Sequence, residues 1–127
     1  MKKNFLILGG NSLIGKKTAN FLKKKNFVKS LSSKDCNLLK KKEVDLLLKN
    51  LKKKYVLIIF SFITKNKNSK STFLKNLKMM SNVAEALDIN MISKIVFISS
   101  VEVYGQIPQN PILETTQENP RNLYGLA

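Results

Sequence analysis

The sequence predicts an α/β protein built on a doubly wound parallel sheet. Four short apolar runs have the continuous hydrophobicity of buried parallel strands. Between them lie longer stretches in which apolar residues recur at helical spacing, so strands and helices alternate along the chain. Such alternation gives right-handed crossovers and a parallel sheet, here with the strand order 2-1-3-4. Ligands then bind between strands one and three, where the order reverses.

The predicted elements are bounded by changes in the hydrophobic pattern. Strands are expected at 5–8, 27–32, 55–63 and 95–99, and helices at 13–25, 39–53 and 72–89. The run 55–63 is the most apolar and is assigned to the centre of the sheet, while 95–99 is assigned to another apolar, buried strand that is expected to form an unpaired edge in this chain. Residues 35–38 are expected to form a short extended piece. Beyond residue 99, three prolines (Pro108, Pro111 and Pro120) indicate a long loop, and loops of this length are usually functional or disordered.

Each predicted helix carries an apolar face that is expected to pack on the sheet. The faces comprise Leu13, Ile14, Thr18, Phe21 and Leu22 in the first helix; Leu39, Val44, Leu47, Leu48 and Leu51 in the second; and Phe73, Leu77, Met80, Val83, Ala84 and Leu87 in the third.

Length and composition limit the kind of protein and its chemistry. The 127 residues allow one domain at most, and 43% apolar residues suffice for a globular core. No apolar run approaches the length of a membrane span. Cys36 is the only cysteine, which excludes an internal disulfide and fits a reducing compartment. Histidine is absent, so no metal site is expected and acid–base chemistry must use Tyr, Ser, Lys or carboxylates.

The formal charge of +15 raises the alternative of a basic nucleic-acid-binding module. Arg121 is the only arginine among the 23 basic residues, although arginine is the residue that best recognises bases and phosphates. The lysines are spread over helix faces, for example at 23–25, 40–42 and 52–54. A solvated surface produced by an A/T-rich coding sequence is therefore the preferred interpretation, with no nucleic-acid partner.

A phosphate site is predicted where the first strand meets the first helix. A strand that enters a helix through a glycine turn presents unpaired backbone N–H groups, and the helix dipole favours an anion there. The pattern is Gly9-x-x-Ser12-x-x-Gly15, in which Ser12 stands in the place of the middle glycine of the dinucleotide fingerprint and Gly10 is an additional glycine. Ser12 either loosens binding or donates its hydroxyl to phosphate. A plain strand–turn–helix without a ligand is the alternative.

The segment after the fourth strand resembles a known family. Ser99-Ser100-Val101-Glu102-Val103-Tyr104-Gly105 is similar to the Ser-Ser-x-x-Val-Tyr-Gly signature of extended short-chain dehydrogenases/reductases, the NAD-dependent epimerase/dehydratase family that acts on nucleotide sugars. Tyr124, about two dozen residues after Ser100, resembles the start of the family's Tyr-x-x-x-Lys motif, whose Lys would follow Ala127. The resemblance implies that 1–127 is an NAD(P)-binding Rossmann domain, incomplete at its C-terminus and without the substrate domain.

The resemblance also implies catalytic roles. Tyr124 is the general acid/base; because tyrosine has a reference pKa near 10, the family lowers that pKa with the motif's Lys and the nicotinamide charge. Ser100 hydrogen-bonds the reacting oxygen, and Ser99 lies nearer the cofactor. Glu102 matches the second residue of the Asp-Glu pair of the dehydratases, but Val101 replaces the Asp, which favours an epimerase or reductase. The alternative for Glu102 is an exposed loop carboxylate.

Further positions match the family's cofactor-binding residues. Gly9, Gly10, Asn11, Ser12, Leu13, Ile14 and Gly15 surround the pyrophosphate; Asn37 and Leu38 frame adenine; Phe60, Ser61 and Phe62 stand where the family has Ala-Ala near the ribose; and Asn76 lies beside the nicotinamide. Each has packing as its alternative. NAD enzymes carry an Asp at the end of strand two. Here Ser32 or Ser33 takes its place, followed by Lys34, which favours NADP(H) for a 2′-phosphate, with Asp35 as the alternative ligand.

Together these features predict the N-terminal cofactor-binding part of a cytoplasmic nucleotide-sugar epimerase or reductase. The expected partners are NAD(P), with NADP(H) favoured, and a nucleotide sugar, without a membrane; the resemblance allows a homodimer for the full-length parent. The chain alone is expected to be inactive, since the motif's Lys and the substrate domain are missing. The non-enzyme alternative is a catalytically silent dinucleotide-binding fragment or sensor.

Overall fold

The computed structural model describes residues 2–106 and 111–127, so Pro108 lies outside the described residues. The strands are β1 (Asn4–Leu8), β2 (Phe27–Leu31), β3 (Tyr55–Ile59) and β4 (Ile92–Phe97), and the helices are α1 (Leu13–Lys23), α2 (Lys41–Lys49), α3 (Lys70–Ala86) and α4 (Leu123–Leu126), with a 3-10 helix over Val101–Tyr104. The four predicted strands and three predicted helices are all present, mostly with shorter bounds.

The sheet has the order β2-β1-β3-β4, and all three pairings are parallel. This confirms the predicted doubly wound α/β fold and the strand order 2-1-3-4. Leu8, the last residue of β1, pairs with Leu31 on one side and Ile59 on the other. The turn after β1 therefore leaves the sheet at the switch point, with the carboxyl ends of β2 and β3 on either side of it.

The described residues fall into two compact units. The first comprises residues 2–62 and 78–98, and the second comprises residues 63–77, 99–106 and 111–127. The first unit holds the whole sheet, and its fully buried side chains include Leu6 and Ile7 of β1, Leu57 of β3, and Val44 and Leu48 of α2. The central position predicted for β3 is correct, since β3 lies between β1 and β4.

The predicted face of α1 is correct only at Thr18 and Leu22, which are partly buried, Leu22 against the cluster of Ile7, Ala19 and Ile58. Leu13 and Phe21 are each 72% exposed and Ile14 is 60% exposed, whereas Gly15 and Ala19 are buried. A Cβ at Gly15 would lie 2.6 Å from the carbonyl oxygen of Gly9. The start of α1 therefore approaches the turn so closely that its small residues, not its large ones, face inward.

The predicted face of α3 is also shifted. Leu77 and Ala84 are exposed, and the buried positions are Thr72, Asn76, Met79, Asn82, Val83 and Ala86. The two asparagines explain the shift, because each uses its buried amide to bind loop backbone: Asn76 binds Ile63, and Asn82 donates to the Leu38 carbonyl. These hydrogen bonds from buried amides to loop backbone place the asparagines, and not Leu77, on the inner face of α3.

Two further expectations are corrected. Residues 35–38 form no strand, because the chain turns at 33–35 and the Asp35 carboxylate accepts hydrogen bonds from the amide and hydroxyl of Ser32. The fourth strand is not buried: Ile95 is 49% and Phe97 is 45% exposed. Within the described part of the chain β4 pairs with β3 alone, which confirms the predicted edge position.

Candidate cofactor and catalytic site

The glycine turn after β1 is fixed by contacts to the strands on both sides. Gly9 has a φ of 86°, and a Cβ there would lie 2.7 Å from the backbone nitrogen of Ser61, just beyond β3. The amides of Gly9 and Gly10 both donate to the Leu31 carbonyl at the end of β2, at 2.9 and 2.8 Å. Gly9 is therefore required by both its conformation and its packing.

Ser12 caps the helix that follows this turn. Its hydroxyl oxygen accepts a hydrogen bond from the Gly15 amide at 3.0 Å, and the hydroxyl donates to the Gly9 carbonyl at 2.9 Å. A serine N-cap typically stabilises a helix by about 1 kcal/mol relative to alanine. The single O–H donor of Ser12 is thus used within the turn. In this conformation it is not free to donate a hydrogen bond to a phosphate, which was one of the two predicted alternatives.

Three backbone amides at the turn remain available. Among the residues described, the Asn11, Leu13 and Ile14 amides donate no hydrogen bond. The three residues are exposed. Unpaired amides at the N-terminus of α1 match what a diphosphate requires, namely convergent donors and a favourable dipole. The turn therefore fits the pyrophosphate of a dinucleotide.

The residues after β2 that were considered as ligands of the cofactor's ribose differ in the contacts that they make. Asp35 accepts from the Ser32 amide at 2.8 Å and from the Ser32 hydroxyl at 2.7 Å, and these bonds lower the pKa of Asp35, the hydroxyl contributing most. The Lys34 amide in turn donates to the Ser32 hydroxyl oxygen at 3.2 Å. The side chains of Ser33 and Lys34 are exposed and make no hydrogen bond or ion pair with any described residue. Ser33 and Lys34 are accordingly available to a ligand, whereas Asp35 is engaged in the turn.

Asn37 and Leu38 are held by the protein itself. Leu38 is buried, and its carbonyl accepts from the Asn82 side chain at 2.7 Å. The Asn37 side-chain oxygen accepts from the Leu39 amide at 3.1 Å, and the Asn37 amide donates to Glu43 at 2.7 Å. The pKa of Glu43 is lowered, first by Lys40 and then by this amide. Packing accounts for the observed contacts of both residues.

The two phenylalanines after β3 pack into the first unit. Phe60 lies against the buried cluster of Ile7, Ala19 and Ile58, and its amide donates to the Leu8 carbonyl at 2.8 Å. Phe62 packs edge-to-face on Phe97, with ring centroids 6.1 Å apart. These contacts show how bulky rings are accommodated where the family signature has alanines.

Asn76 in the second unit has a structural role. It is fully buried, accepts from the Ile63 amide at 2.8 Å and donates to the Ile63 carbonyl at 3.1 Å. These two bonds resemble those of a strand neighbour, so Asn76 fixes the backbone immediately after the apolar run of β3. No contact of its side chain with a ligand is needed to explain its burial.

The predicted catalytic residues Ser100, Glu102 and Tyr124 all lie in the second unit. Ser100 caps the 3-10 helix, because its hydroxyl oxygen accepts from the Glu102 amide at 3.3 Å. Within the described residues the Ser100 hydroxyl has no acceptor, so its hydrogen is available to a ligand. Ser99 is exposed.

Glu102 is surrounded by two residues that sequence reasoning missed. Its carboxylate accepts from the Lys67 ammonium at 3.0 Å and from the Asn122 side chain at 2.6 Å, and both bonds lower the pKa of Glu102, the Lys67 bond most. Asn122 also caps α4 by accepting from the Gly125 amide at 2.7 Å, and Lys67 lies 5.0 Å from the centroid of the Tyr124 ring. An asparagine before a helical pattern signals an N-cap, whereas nothing in the polar loop distinguished Lys67.

Comparison with known proteins identifies the family. The family model for NAD-dependent epimerases/dehydratases matches residues 5–127. The chain belongs to the NAD-dependent epimerase/dehydratase family. This confirms the family resemblance and NAD(P) as the class of cofactor. Comparison with curated proteins gave no match.

Solved structures share the fold of this family member. A dTDP-4-dehydrorhamnose reductase from Clostridium acetobutylicum has 25% sequence identity and a TM-score of 0.81 over 97% of this chain and 45% of its own. A GDP-L-fucose synthetase from Naegleria fowleri bound to NADP has 25% identity and a TM-score of 0.80 over 98% of this chain and 44% of its own. The chain thus spans less than half the length of these proteins. No helix among the described residues is long and apolar enough to cross a membrane.

Proposed function

We propose that residues 1–127 form the dinucleotide-binding region of a nucleotide-sugar reductase or epimerase that prefers NADP(H). The observation that supports this most is the turn at the switch point, where the amides of Asn11, Leu13 and Ile14 are unpaired at the N-terminus of α1. In a member of this family, such a turn is suited to the cofactor's pyrophosphate. The cytoplasmic location and the homodimeric parent are predictions from the resemblance.

The 2′-phosphate of NADP(H) is assigned to Ser33 and Lys34. Both side chains follow β2 and are exposed, while the competing carboxylate of Asp35 is held by Ser32. A cation and a hydroxyl suit a phosphate, whereas an available carboxylate would suit the ribose hydroxyls of NAD. The Naegleria relative bound to NADP supports the same preference.

Ser100 and Tyr124 are proposed as the catalytic pair. The bound cofactor supplies or accepts a hydride at the sugar carbon. Tyr124 exchanges a proton with the sugar oxygen at that carbon, and Ser100 donates its hydroxyl hydrogen to the same oxygen. Val101 stands where the dehydratases have an Asp, so reduction or epimerisation is proposed over water elimination.

Cofactor titrations test the proposal. NADP(H) and NAD(H) binding are measured by calorimetry on the wild type, on Lys34→Ala, and on Lys52→Ala, an exposed lysine that precedes β3. A charge-assisted hydrogen bond contributes roughly 1.5–3 kcal/mol, so the wild type is expected to prefer NADP(H) about tenfold or more. Lys34→Ala removes most of that preference, and Lys52→Ala leaves it unchanged.

Other outcomes of these titrations are equally informative. Equal affinities for the two cofactors would refute the assignment to Ser33 and Lys34. Tighter NAD(H) binding that is lost in Asp35→Ala would make Asp35 the ribose ligand. Cofactor binding without turnover of any nucleotide sugar in a protein carrying the motif's lysine would support the silent dinucleotide-binding alternative.

A further inference from the structure

Four residues of the second unit form one connected group, here called the Glu102 network: Lys67, Glu102, Asn122 and Tyr124. One carboxylate oxygen of Glu102 binds the Lys67 ammonium at 3.0 Å, and the other accepts from the Asn122 side chain at 2.6 Å. The Lys67 ammonium lies 5.0 Å from the ring centroid of Tyr124. The network joins the loop before α3, the 3-10 helix and the start of α4.

The helix that carries Tyr124 depends on this network for its start. The residues of α4, Leu123–Leu126, make up a single turn, and one turn has little stability on its own. Asn122 holds that turn by accepting from the Gly125 amide at 2.7 Å, and the orientation of Asn122 is set by its bond to Glu102. Gly125 also lies directly against the Glu102 carbonyl, where a Cβ would clash. Glu102 therefore contacts α4 through both its side chain and its backbone.

Lys67 contributes a second constraint on Tyr124. Its ammonium is shared between the Glu102 carboxylate and the face of the Tyr124 ring, a geometry in which cation and ring attract. Without the carboxylate, Lys67 is a flexible side chain that is 46% exposed, with no other anion among the described residues to fix it. The position of the Tyr124 ring relative to a cation thus depends on Glu102.

We propose that Glu102 is a positioning residue that acts through Tyr124, and that it does not exchange protons with the substrate. Both of its oxygens are engaged by donors on other segments, which leaves it poorly placed to protonate a leaving group. The bonds from Lys67 and Asn122 also lower its pKa, which favours the ionised, hydrogen-bond-accepting form. The catalytic part of this inference rests on the proposed role of Tyr124, whereas the positioning part stands on the geometry alone.

Tyrosine fluorescence provides a direct test. The chain has three tyrosines and no tryptophan, so Tyr55→Phe with Tyr104→Phe leaves Tyr124 as the only emitter. In this background, Glu102→Ala is expected to raise the acrylamide quenching constant of Tyr124 about twofold or more, because Lys67 is no longer held beside the ring and the cap residue Asn122 loses the bond that orients it. Glu102→Gln retains an acceptor for Asn122 and should give an intermediate value. Glu118→Ala, an exposed glutamate of the same unit, is the matched control and should change nothing.

A second variant distinguishes loss of these contacts from misfolding of the chain. Lys67→Met, in an exposed loop, keeps a side chain of similar length but removes its charge. It should raise the quenching of Tyr124 without changing the midpoint of thermal unfolding followed by circular dichroism. Adding Asn122→Ala to Glu102→Ala should raise quenching further, because it also removes the cap bond to the Gly125 amide. Unchanged quenching in both Glu102→Ala and Lys67→Met would overturn the proposal.

The same proteins separate this inference from the proposed function. Glu102→Ala should bind NADP(H) as tightly as the wild type, since no residue assigned to the cofactor is altered. Absence of NADP(H) binding in the wild type would remove the proposed function and leave the quenching result to decide the role of Glu102. Normal NADP(H) binding with unchanged quenching would support the proposed function and overturn the positioning role of Glu102.

Discussion

Ser12 shows how one side chain can stabilise the fold at a position where a binding motif carries glycine. Its hydroxyl closes the turn onto Gly9 and caps α1 through the Gly15 amide. A glycine there would leave the Gly15 amide unpaired and so add a fourth donor to those of Asn11, Leu13 and Ile14. Helix stability and anion binding therefore compete for the same amide.

Substitution of Ser12 separates the two effects. Ser12→Ala should lower the free energy of unfolding by about 1 kcal/mol, whereas Ser12→Gly should cost only a few tenths, because glycine is a tolerated N-cap. Urea unfolding of both variants, with Ser33→Ala as an exposed control, measures the difference. Ser12→Gly should bind NADP(H) at least as tightly as the wild type. A large loss of binding in Ser12→Gly would instead show that the hydroxyl contacts phosphate.

The sequence located the residues of the candidate site better than it located their partners. Ser100, Glu102 and Tyr124 stood out because they fall on a spaced signature, and the structure places all three in one unit. Lys67 lies far from them in sequence, in a loop of interchangeable polar residues, so only the folded chain shows its bond to Glu102. Asn37 and Asn76 matched family positions by spacing, yet their side chains bind local backbone.

At the scale of elements, hydrophobic periodicity predicted which segments are helices and which face of α2 is buried, but it was only partly correct for the faces of α1 and α3. In α1 the large residues Leu13 and Phe21 are exposed because Gly15 and Ala19 permit the closest approach to the turn and the sheet. In α3 buried asparagines compete with leucines for the inner face. Periodicity counts apolar residues, whereas packing also depends on small size and on satisfied polar groups.

The β4 edge predicts self-association of the chain. Among the described residues β4 has a partner on one side only, and Ile95, Phe97 and Ile98 are between 41% and 49% exposed. Apolar edge strands pair with other chains, and a charge on the edge opposes such pairing. Ile95→Lys should therefore reduce concentration-dependent association in sedimentation velocity. Leu46→Lys, on a residue of α2 that is 71% exposed, should not. A wild type that remains monomeric at all concentrations would contradict this prediction.

For the whole molecule, charge is the dominant global property. The chain has eight acidic residues and 23 basic ones. Several of the acidic side chains bind specific partners: Asp35 binds Ser32, Glu43 and Glu85 bind lysines, and Glu102 binds Lys67. Exposed ion pairs of this kind contribute little individually. Their loss nevertheless matters here, because each protonation also increases an already large repulsion between positive charges.

Stability is accordingly expected to decrease in acid. The pKa values of Asp35, Glu43, Glu85 and Glu102 are all lowered by hydrogen bonds from their ordinary values of 3.8 for Asp and 4.5 for Glu. A lowered pKa in the folded state means that the unfolded chain binds protons more tightly, so the stabilisation is complete above the ordinary values and is lost as the pH falls through the folded ones. Thermal unfolding followed by circular dichroism should show a constant midpoint between pH 6 and 7 and a progressive decrease below about pH 4.5. Added salt should raise the midpoint at pH 4, because it screens the repulsion of the basic side chains. Glu85→Gln should make the midpoint slightly less dependent on pH, since it removes one of the carboxyl groups whose pKa is lowered. A midpoint that stays constant down to pH 3.5 would contradict the expected link between stability and carboxylate protonation.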